Sequence, residues 1–406
     1  MNHRIDIAII GAGPQALTLV THLLQKKPSL RSRIQVFDPS GAWMAQWRQQ
    51  FAAQEIPYLR SPGVHYPDPK QTLFNFAERR QDELYLPYNR PGTQLFHDFC
   101  ETVIDRWQLR DLVTAAQIVQ LSPLRSTRFR LRLDNGQQVE ARRVVIATGG
   151  GSAQFPHWVT QVNAHRSDRL CHANKIALPQ LPNLAGETVL IIGSGQSSAH
   201  LALGAIKRGA RVLMMARRTL SEKLFDAEPG WLGPKYLKGF QAESDWQVRW
   251  QMIQEARNGG SIAPELLSQL RRLSRSGQVA FYENCQVSRA TWQGETWQVE
   301  CRQSDVHECL AHQPMDRIWL ATGTETDISA HPLMGEVLTQ YPNQLVNGLP
   351  VLDEHLRWPG CDLFLMGPWA ALQVGPVARN LHGGRMACDR IVPALTKATL
   401  ARTASQ

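Results

Sequence analysis

The sequence predicts an α/β protein built from two Rossmann-like dinucleotide-binding units, each carrying a β-hairpin or meander insertion. Three observations point there. A glycine turn occurs twice, as GAGPQA (Gly11–Ala16) and GSGQSS (Gly193–Ser198). Each copy stands between a short apolar run with β-branched residues and a segment whose apolar residues recur at helical spacing. Each unit then passes through a hairpin pattern and ends on the same tripeptide, Ala-Thr-Gly, at residues 147–149 and 321–323. Repetition of all three features in one order is far rarer by chance than any one of them.

In chain order, Ile5–Ile10 reads as a strand and LTLVTHLLQ (Leu17–Gln25) as a helix behind the first turn. IQVFD (Ile34–Asp38) is the second strand. Residues 40–123, rich in Trp, Tyr and Pro, read as an insertion. Thr127–Leu133 alternates, turns at Asn135-Gly136, returns through Gln137–Ala141 and feeds VVIATG (Val144–Gly149). In the second unit, Thr188–Ile192 is the strand before the turn, AHLALGAIKRG (Ala199–Gly209) the helix after it, and VLMMARR (Val212–Arg218) the next strand and its exit. Residues 221–276 read as a second insertion with helical patterns at Trp246–Ala256 and Pro264–Leu273. Thr291–Cys301 is a hairpin, and IWLATG (Ile318–Gly323) closes the unit. The expected organisation is a first domain of residues 1–150 plus 315–406, a connection over 151–184, and a second domain over 185–314.

The 406 residues are 43% hydrophobic and 19% charged, a globular composition that excludes disorder as a main theme. The run Ile7–Leu24 is nearly uncharged, but Gly11, Gly13 and Pro14 interrupt it and no A-x-A cleavage site follows, so neither a membrane helix nor an export signal is expected. Seven scattered cysteines without a CxxC pair argue against a disulfide framework, a zinc site and a redox dithiol, and point to the cytoplasm. No metal is expected. The net charge of +9 suits an anionic cofactor better than nucleic acid, because the chain has no zinc finger, RNA-binding signature or basic helix.

A glycine turn between strand and helix lets the backbone approach a pyrophosphate, whose charge the free amides and the helix dipole stabilise. Gly11, Gly13, Pro14, Gln15 and Ala16 are therefore cofactor-binding candidates, as are Gly193, Ser194, Gly195, Gln196, Ser197 and Ser198. Asp38 ends the second strand of the first unit, where a carboxylate accepts ribose hydroxyls and repels a 2′-phosphate. That unit is expected to hold FAD. Arg217 and Arg218 stand at the equivalent place in the second unit, where two guanidinium groups fit a 2′-phosphate and NADPH. The plainer reading of these arginines is a solvated strand end. Thr148, Gly149, Thr322 and Gly323 join the candidates as strand ends beside the turns. Trp43 and Trp47, four residues apart, either pack on the flavin or fill core.

With these residues in place, the chain resembles the FAD- and NADPH-dependent class B flavoprotein monooxygenases, and among them the lysine and ornithine N-hydroxylases of siderophore synthesis. GAGPQAL is similar to their FAD turn and GSGQSSAH to their NADPH turn. DRIWLATGT (Asp316–Thr324) resembles their DxxxLATGY segment, and LRSP (Leu59–Pro62) followed by LFNF (Leu73–Phe76) a substrate-side segment. FDAEPGWLGPKYL (Phe225–Leu237) is faintly similar to their NExFxP stretch. DLFLMG and GPVARN (Asp362–Gly367, Gly375–Asn380) resemble the closing strand and helix, which places Gly367 and Gly375 near the flavin. The resemblance implies a two-dinucleotide-binding flavoprotein in which a C4a-hydroperoxyflavin, formed with O2, oxygenates a small amine-type nucleophile. It also implies a homo-oligomer. Thr324 stands where the family has tyrosine, Ala227-Glu228 where it has Asn-Glu, and no lysine occurs between Arg48 and Arg60. Phe155, His172 and Ile176 do not keep the spacing of the flavin-monooxygenase linker.

No catalytic acid or base is nominated, since the cofactor carries the chemistry. Substrate-side candidates are Arg60 and His65 in the first insertion and Asp226, Glu228 and Trp231 in the second. Their plainer readings are a surface histidine in a turn-rich loop and acids that solvate a lid. Two alternatives stay open: an FAD-linked NAD(P)H reductase of a quinone or carrier, and a catalytically weak FAD/NADP-binding sensor.

Overall fold

The computed structural model describes residues 3–124, 128–149, 151–162, 169–257, 259–302, 310 and 313–397. Thr127 of the first hairpin, Gly150 and Cys309 lie outside the described residues.

The first strand, β1 (His3–Ile10), is buried on both faces, with Ile7, Ala8 and Ile9 at 0% exposure, as a central parallel strand must be. It pairs in parallel with β2 (Ile34–Asp38), which pairs in parallel with β3 (Val113–Ala115). Strands β4 (Ile118–Leu124), β5 (Arg128–Leu133) and β6 (Gln138–Ile146) form an antiparallel meander whose last strand returns beside β1. Asn135-Gly136 turns β5 into β6, with Gly136 at φ 83°. Helix α1 (Pro14–Lys26) buries Leu17, Val20 and Leu24 against the sheet and ends at Lys26, followed by Pro28. Helices α2 (Ala45–Ala53) and α3 (Thr93–Arg106) cover the first insertion.

The second unit repeats this plan with β7 (Leu170–His172), β8 (Thr188–Ile192), β9 (Arg211–Met215) and β10 (Val279–Tyr282) in one parallel sheet. Val189 and Ile191 enter one apolar cluster and Leu190 the other, so β8 too is buried on both faces. Helix α4 (Gln196–Lys207) follows the second turn. Helices α5 (Pro234–Ala242), α6 (Trp246–Arg257) and α7 (Pro264–Arg275) come next, and the hairpin β11 (Val287–Trp292) and β12 (Trp297–Cys301) pairs Trp292 with Trp297. Strand β13 (Arg317–Leu320) inserts between β7 and β8. The chain closes on β14 (Leu363–Leu365), parallel to β6, and helix α8 (Leu381–Thr396), which packs on α1.

The fold class is the one expected, but several boundaries move. Strands β3 and β4 lie within 40–123 and yet belong to the first sheet. Strand β7, inside the expected connection 151–184, and β13, inside 315–406, both belong to the second sheet. Helix α7, within the expected insertion 221–276, is the crossover that carries parallel β9 into β10. Three-residue strands such as β3 and β7 are too short to show a period, and only pairing with a neighbour defines them.

The two glycine turns are fixed by the same contact. The Gly11 amide donates to Phe37 O at 2.8 Å and Ala147 N to Ile10 O at 2.8 Å; in the second unit Gly193 donates to Met215 O at 2.9 Å and Ala321 N to Ile192 O at 2.8 Å. A Cβ on Gly11, at φ +100°, would sit 2.8 Å from Ala147 O, and one on Gly193, at φ +150°, would sit 2.3 Å from Ala321 O. Each first glycine thus rests on the alanine of its unit's Ala-Thr-Gly. The second glycines differ: a Cβ on Gly13 or Gly195 meets nothing within 4 Å. Gly11→Ala should therefore cost roughly 1–3 kcal/mol in denaturant unfolding, against a change within about 0.5 kcal/mol for Gly13→Ala. Equal losses would contradict this packing.

Candidate nucleotide and substrate site

At the first turn Gly13 caps α1 with extended backbone at φ −80° and no side-chain cap, and Pro14 occupies the first helical turn. No Ser or Asp side chain caps this helix N-terminus, so its amide donors stay open. Asp38, at the end of β2, accepts from Ala12 N at 3.0 Å, from Ser40 N at 3.0 Å and from Ser40 Oγ at 2.5 Å. These bonds fix a half-exposed carboxylate beside the turn, where it keeps acceptor capacity for a ribose. Thr148 and Gly149 are exposed at the end of β6, and Gly149, at φ +82°, has open space around it. Gln15 donates to Ala378 O at 2.9 Å, and a Cβ on Gly367 would sit 3.3 Å from the Gln15 side-chain oxygen, so the closing segment is pinned beside the turn.

The second turn has the same uncapped geometry, Gly195 at φ −103° before α4. Ser198, fully buried, bonds Gly195 O at 2.6 Å, and Gln196 accepts from Ala263 N at 3.0 Å, which ties the turn to the start of α7. Arg217 and Arg218 are exposed beyond β9. The turn opens into a cleft of about 1340 Å³, lined among others by Ser194, Arg217, Thr322, Pro368 and Arg379. This exceeds the roughly 300–1,000 Å³ of a single small-ligand pocket. Pro368 adjoins Gly367 and hence the first turn, so the cleft reaches from one unit to the other.

The substrate-side candidates separate. Arg60 and Asp226 line the cleft and bind each other at 2.8 Å. Arg60 also donates to Leu224 O at 2.8 Å, Ser261 O at 3.1 Å, Ser261 Oγ at 2.8 Å and Lys223 O, which leaves this guanidinium no free edge for a substrate. Asp226 is held from the other side by Arg257 at 3.3 Å, which also reaches Pro376 O at 2.9 Å. Burial pushes the Asp226 carboxyl up, but Arg257, Arg60 and Arg379 outweigh it and hold it below its ordinary pKa. His65 bonds Ser61 Oγ at 2.9 Å and packs its ring 4.9 Å from His382, outside the cleft lining; burial lowers its pKa to about 4. Glu228 is exposed and accepts from Tyr236 Oη at 2.9 Å, and Trp231 is buried against Tyr236 and Phe240. Neither lines the cleft.

Trp43 is 3% exposed and donates its indole N–H to Leu109 O at 2.8 Å, the core alternative. Trp47 stacks on Phe51 at 4.2 Å. Gly375 is buried against Leu237 and Phe240, because it ends the short helix Ala371–Val374 rather than opening α8. Thr322 lines the cleft and donates to Gln154 O, and Gly323, at φ +83°, has open space like Gly149. Phe155 and His172, out of register with the flavin-monooxygenase spacing, meet in space with ring centroids 5.5 Å apart, and His172 Nε2 lies 3.0 Å from Gly323 O. Arg257 and Ser261 carry no sequence signal and Arg379 only its place in GPVARN; the fold alone brings Arg257 and Arg379 to Asp226 and Ser261 to Arg60.

The family model for L-lysine 6-monooxygenase/L-ornithine 5-monooxygenase matches residues 3–326. The chain belongs to this family. Among solved structures, the ornithine N-hydroxylase of Kutzneria sp. 744, a complex with reduced FAD, NADP+ and L-ornithine, is similar at 17% identity and TM-score 0.79 over 97% of this chain and 99% of the other. The ornithine hydroxylase of Pseudomonas aeruginosa gives 17% identity, TM-score 0.77 and the same coverages. The FAD-bound cadaverine monooxygenase of Erwinia amylovora gives 16%, TM-score 0.77 and coverages of 97% and 95%. A search of curated proteins gives no match. The family makes the chain an FAD- and NADPH-dependent monooxygenase of amines, and the reductase and sensor alternatives are not favoured. No helix among the described residues is long and apolar enough to cross a membrane.

Two measurements test the site. Replacing Arg217 and Arg218 together by Ala should raise the KM for NADPH at least ~10-fold while changing that for NADH far less, because only NADPH carries the phosphate; equal losses would remove the phosphate role. Asp226→Asn should lower stability by about 1–2 kcal/mol in denaturant titration. That is less than for a fully buried pair, because its side chain is 38% exposed. An unchanged midpoint would mean that this ion pair holds nothing together.

Proposed function

We propose that the chain oxygenates the amine nitrogen of a small substrate, with NADPH as reductant and O2 as oxygen source, inside the cleft that joins its two nucleotide turns. One observation carries this reading: a single chamber touches the second turn, the second Ala-Thr-Gly and the closing segment beside the first turn. A nicotinamide nucleotide with its pyrophosphate at Gly195 would therefore extend along this chamber toward the first unit.

Bound FAD, once reduced, supplies the activation of oxygen. The chain supplies position and dryness. The N-terminus of α1 and its turn would hold the FAD pyrophosphate and Asp38 the ribose; the N-terminus of α4 and Arg217 with Arg218 would hold NADPH. Ile253, Leu349, Pro368 and Ala371 give the cleft apolar wall, which excludes water from the reacting centre. Action in the reducing cytoplasm is part of this proposal, and so is assembly as a homo-oligomer.

The reading is tested on the purified flavoprotein. NADPH should bleach it without air, and with air and an amine substrate a hydroxylamine should accumulate in step with NADPH consumed. Rapid quinone reduction without any oxygenated amine would reject it.

A further inference from the structure

Residues 54–60 follow α2, and their backbone belongs to the first unit: Leu59 N donates to Pro91 O at 2.9 Å, Thr93 N to Pro57 O at 3.0 Å and Thr93 Oγ1 to Ile56 O at 2.6 Å. Their side chains serve the second unit. Gln54 donates to Ala173 O at 3.4 Å, Glu55 pairs with Arg208 at 2.7 Å, Tyr58 donates to Glu265 at 2.8 Å, and Arg60 binds Asp226 and Ser261. Arg90, 3% exposed, joins Tyr58: its guanidinium lies 4.8 Å over the Tyr58 ring and donates to the same Glu265 oxygen at 2.6 Å.

An acid in the first turn of a helix ordinarily answers the helix dipole, and Glu265 has that place in α7. Its two side-chain donors, however, come from the first unit. Burial pushes its carboxyl up, but the bonds from Arg90 and Tyr58 outweigh this and hold it below its ordinary pKa, so it faces them as an anion. Two residues earlier, Ala263 N donates to Gln196, the first residue of α4, at 3.0 Å. Arg208, which Glu55 holds, is the residue just past the last turn of the same helix. The first unit thus grips α4 at both ends, through Glu265 and α7 at the turn and through Glu55 at the tail. One grip would fix a point of the helix; two fix its direction. Tyr58, Arg90 and Glu265 do not line the cleft, so they take no direct part in nucleotide affinity.

We propose that Glu265, held by Tyr58 and Arg90, is a positioning residue for hydride transfer: it sets the pose of α4 against the first unit, and with it the approach of nicotinamide to flavin. This rests on the reading above that the N-terminus of α4 holds the NADPH pyrophosphate. Misplacement by about 1 Å at a reacting centre can cost about 100-fold in rate, so a small rotation of α4 is enough to be felt.

Two measurements on the FAD-loaded protein test it: the limiting rate of anaerobic flavin reduction at saturating NADPH, and the Kd of NADP+ by calorimetry. Glu265→Gln should lower the limiting rate at least ~10-fold and leave the Kd unchanged. Tyr58→Phe, which removes one of the two bonds and keeps the ring under Arg90, should give a smaller loss in the same direction. It carries the test if the Gln variant does not fold. An unchanged limiting rate in these variants, or a loss of NADP+ affinity that parallels the loss of rate, would overturn the assignment. Gly195→Val tests the nucleotide seat separately, since a side chain there meets nothing of the protein within 4 Å and would occupy the space of a pyrophosphate. It should abolish NADP+ binding. Normal binding in that variant would remove the seat and the assignment together, whereas blocked binding beside unchanged Glu265 and Tyr58 variants would remove the assignment alone.

Discussion

The architecture hangs on one close approach made twice: the first glycine of each turn lies against the backbone of its unit's Ala-Thr-Gly alanine, with no room for a Cβ. This contact aligns the end of the first strand with the strand at its side and aims the following helix outward. Because the second glycine is open and no side chain caps the helix, the donors freed at each N-terminus stay available for the pyrophosphate we propose there. A residue with a side chain at the first position would push the turn off the strand end, and the pyrophosphate seat would go with it.

A second constraint joins parts of the chain that are far apart in sequence. Asp226 takes one hydrogen bond from Arg60 in the first insertion and one from Arg257 on α6, while Arg257 also holds Pro376 in the closing segment. Gln15 binds the same closing segment at Ala378 from the first turn. The chamber between the units is therefore bounded by polar links with defined directions rather than by apolar packing alone. That suits a space that must admit a charged nucleotide and a polar substrate without collapsing.

Much of this was legible in the residues because it is local. The strand β8 was read at its observed limits, Thr188–Ile192, and the two turns, the hairpin turn at Asn135-Gly136 and the helices near Trp246 and Pro264 follow from short-range pattern. What was not legible depends on partners distant in sequence. Strands β3 and β7 exist only through pairing, and α5 carries no strong signal of its own. Trp43, Trp231 and Gly375, candidates for cofactor or substrate contact in the sequence, pack into the core.

The central claim is that one polypeptide seats two different adenine dinucleotides at once. Titrating NADP+ into the purified FAD-loaded protein, with heat and flavin absorbance followed together, tests it most directly. The account predicts one NADP+ bound per chain with the flavin still in place. Release of FAD in step with NADP+ uptake, or no NADP+ binding at all, would contradict it.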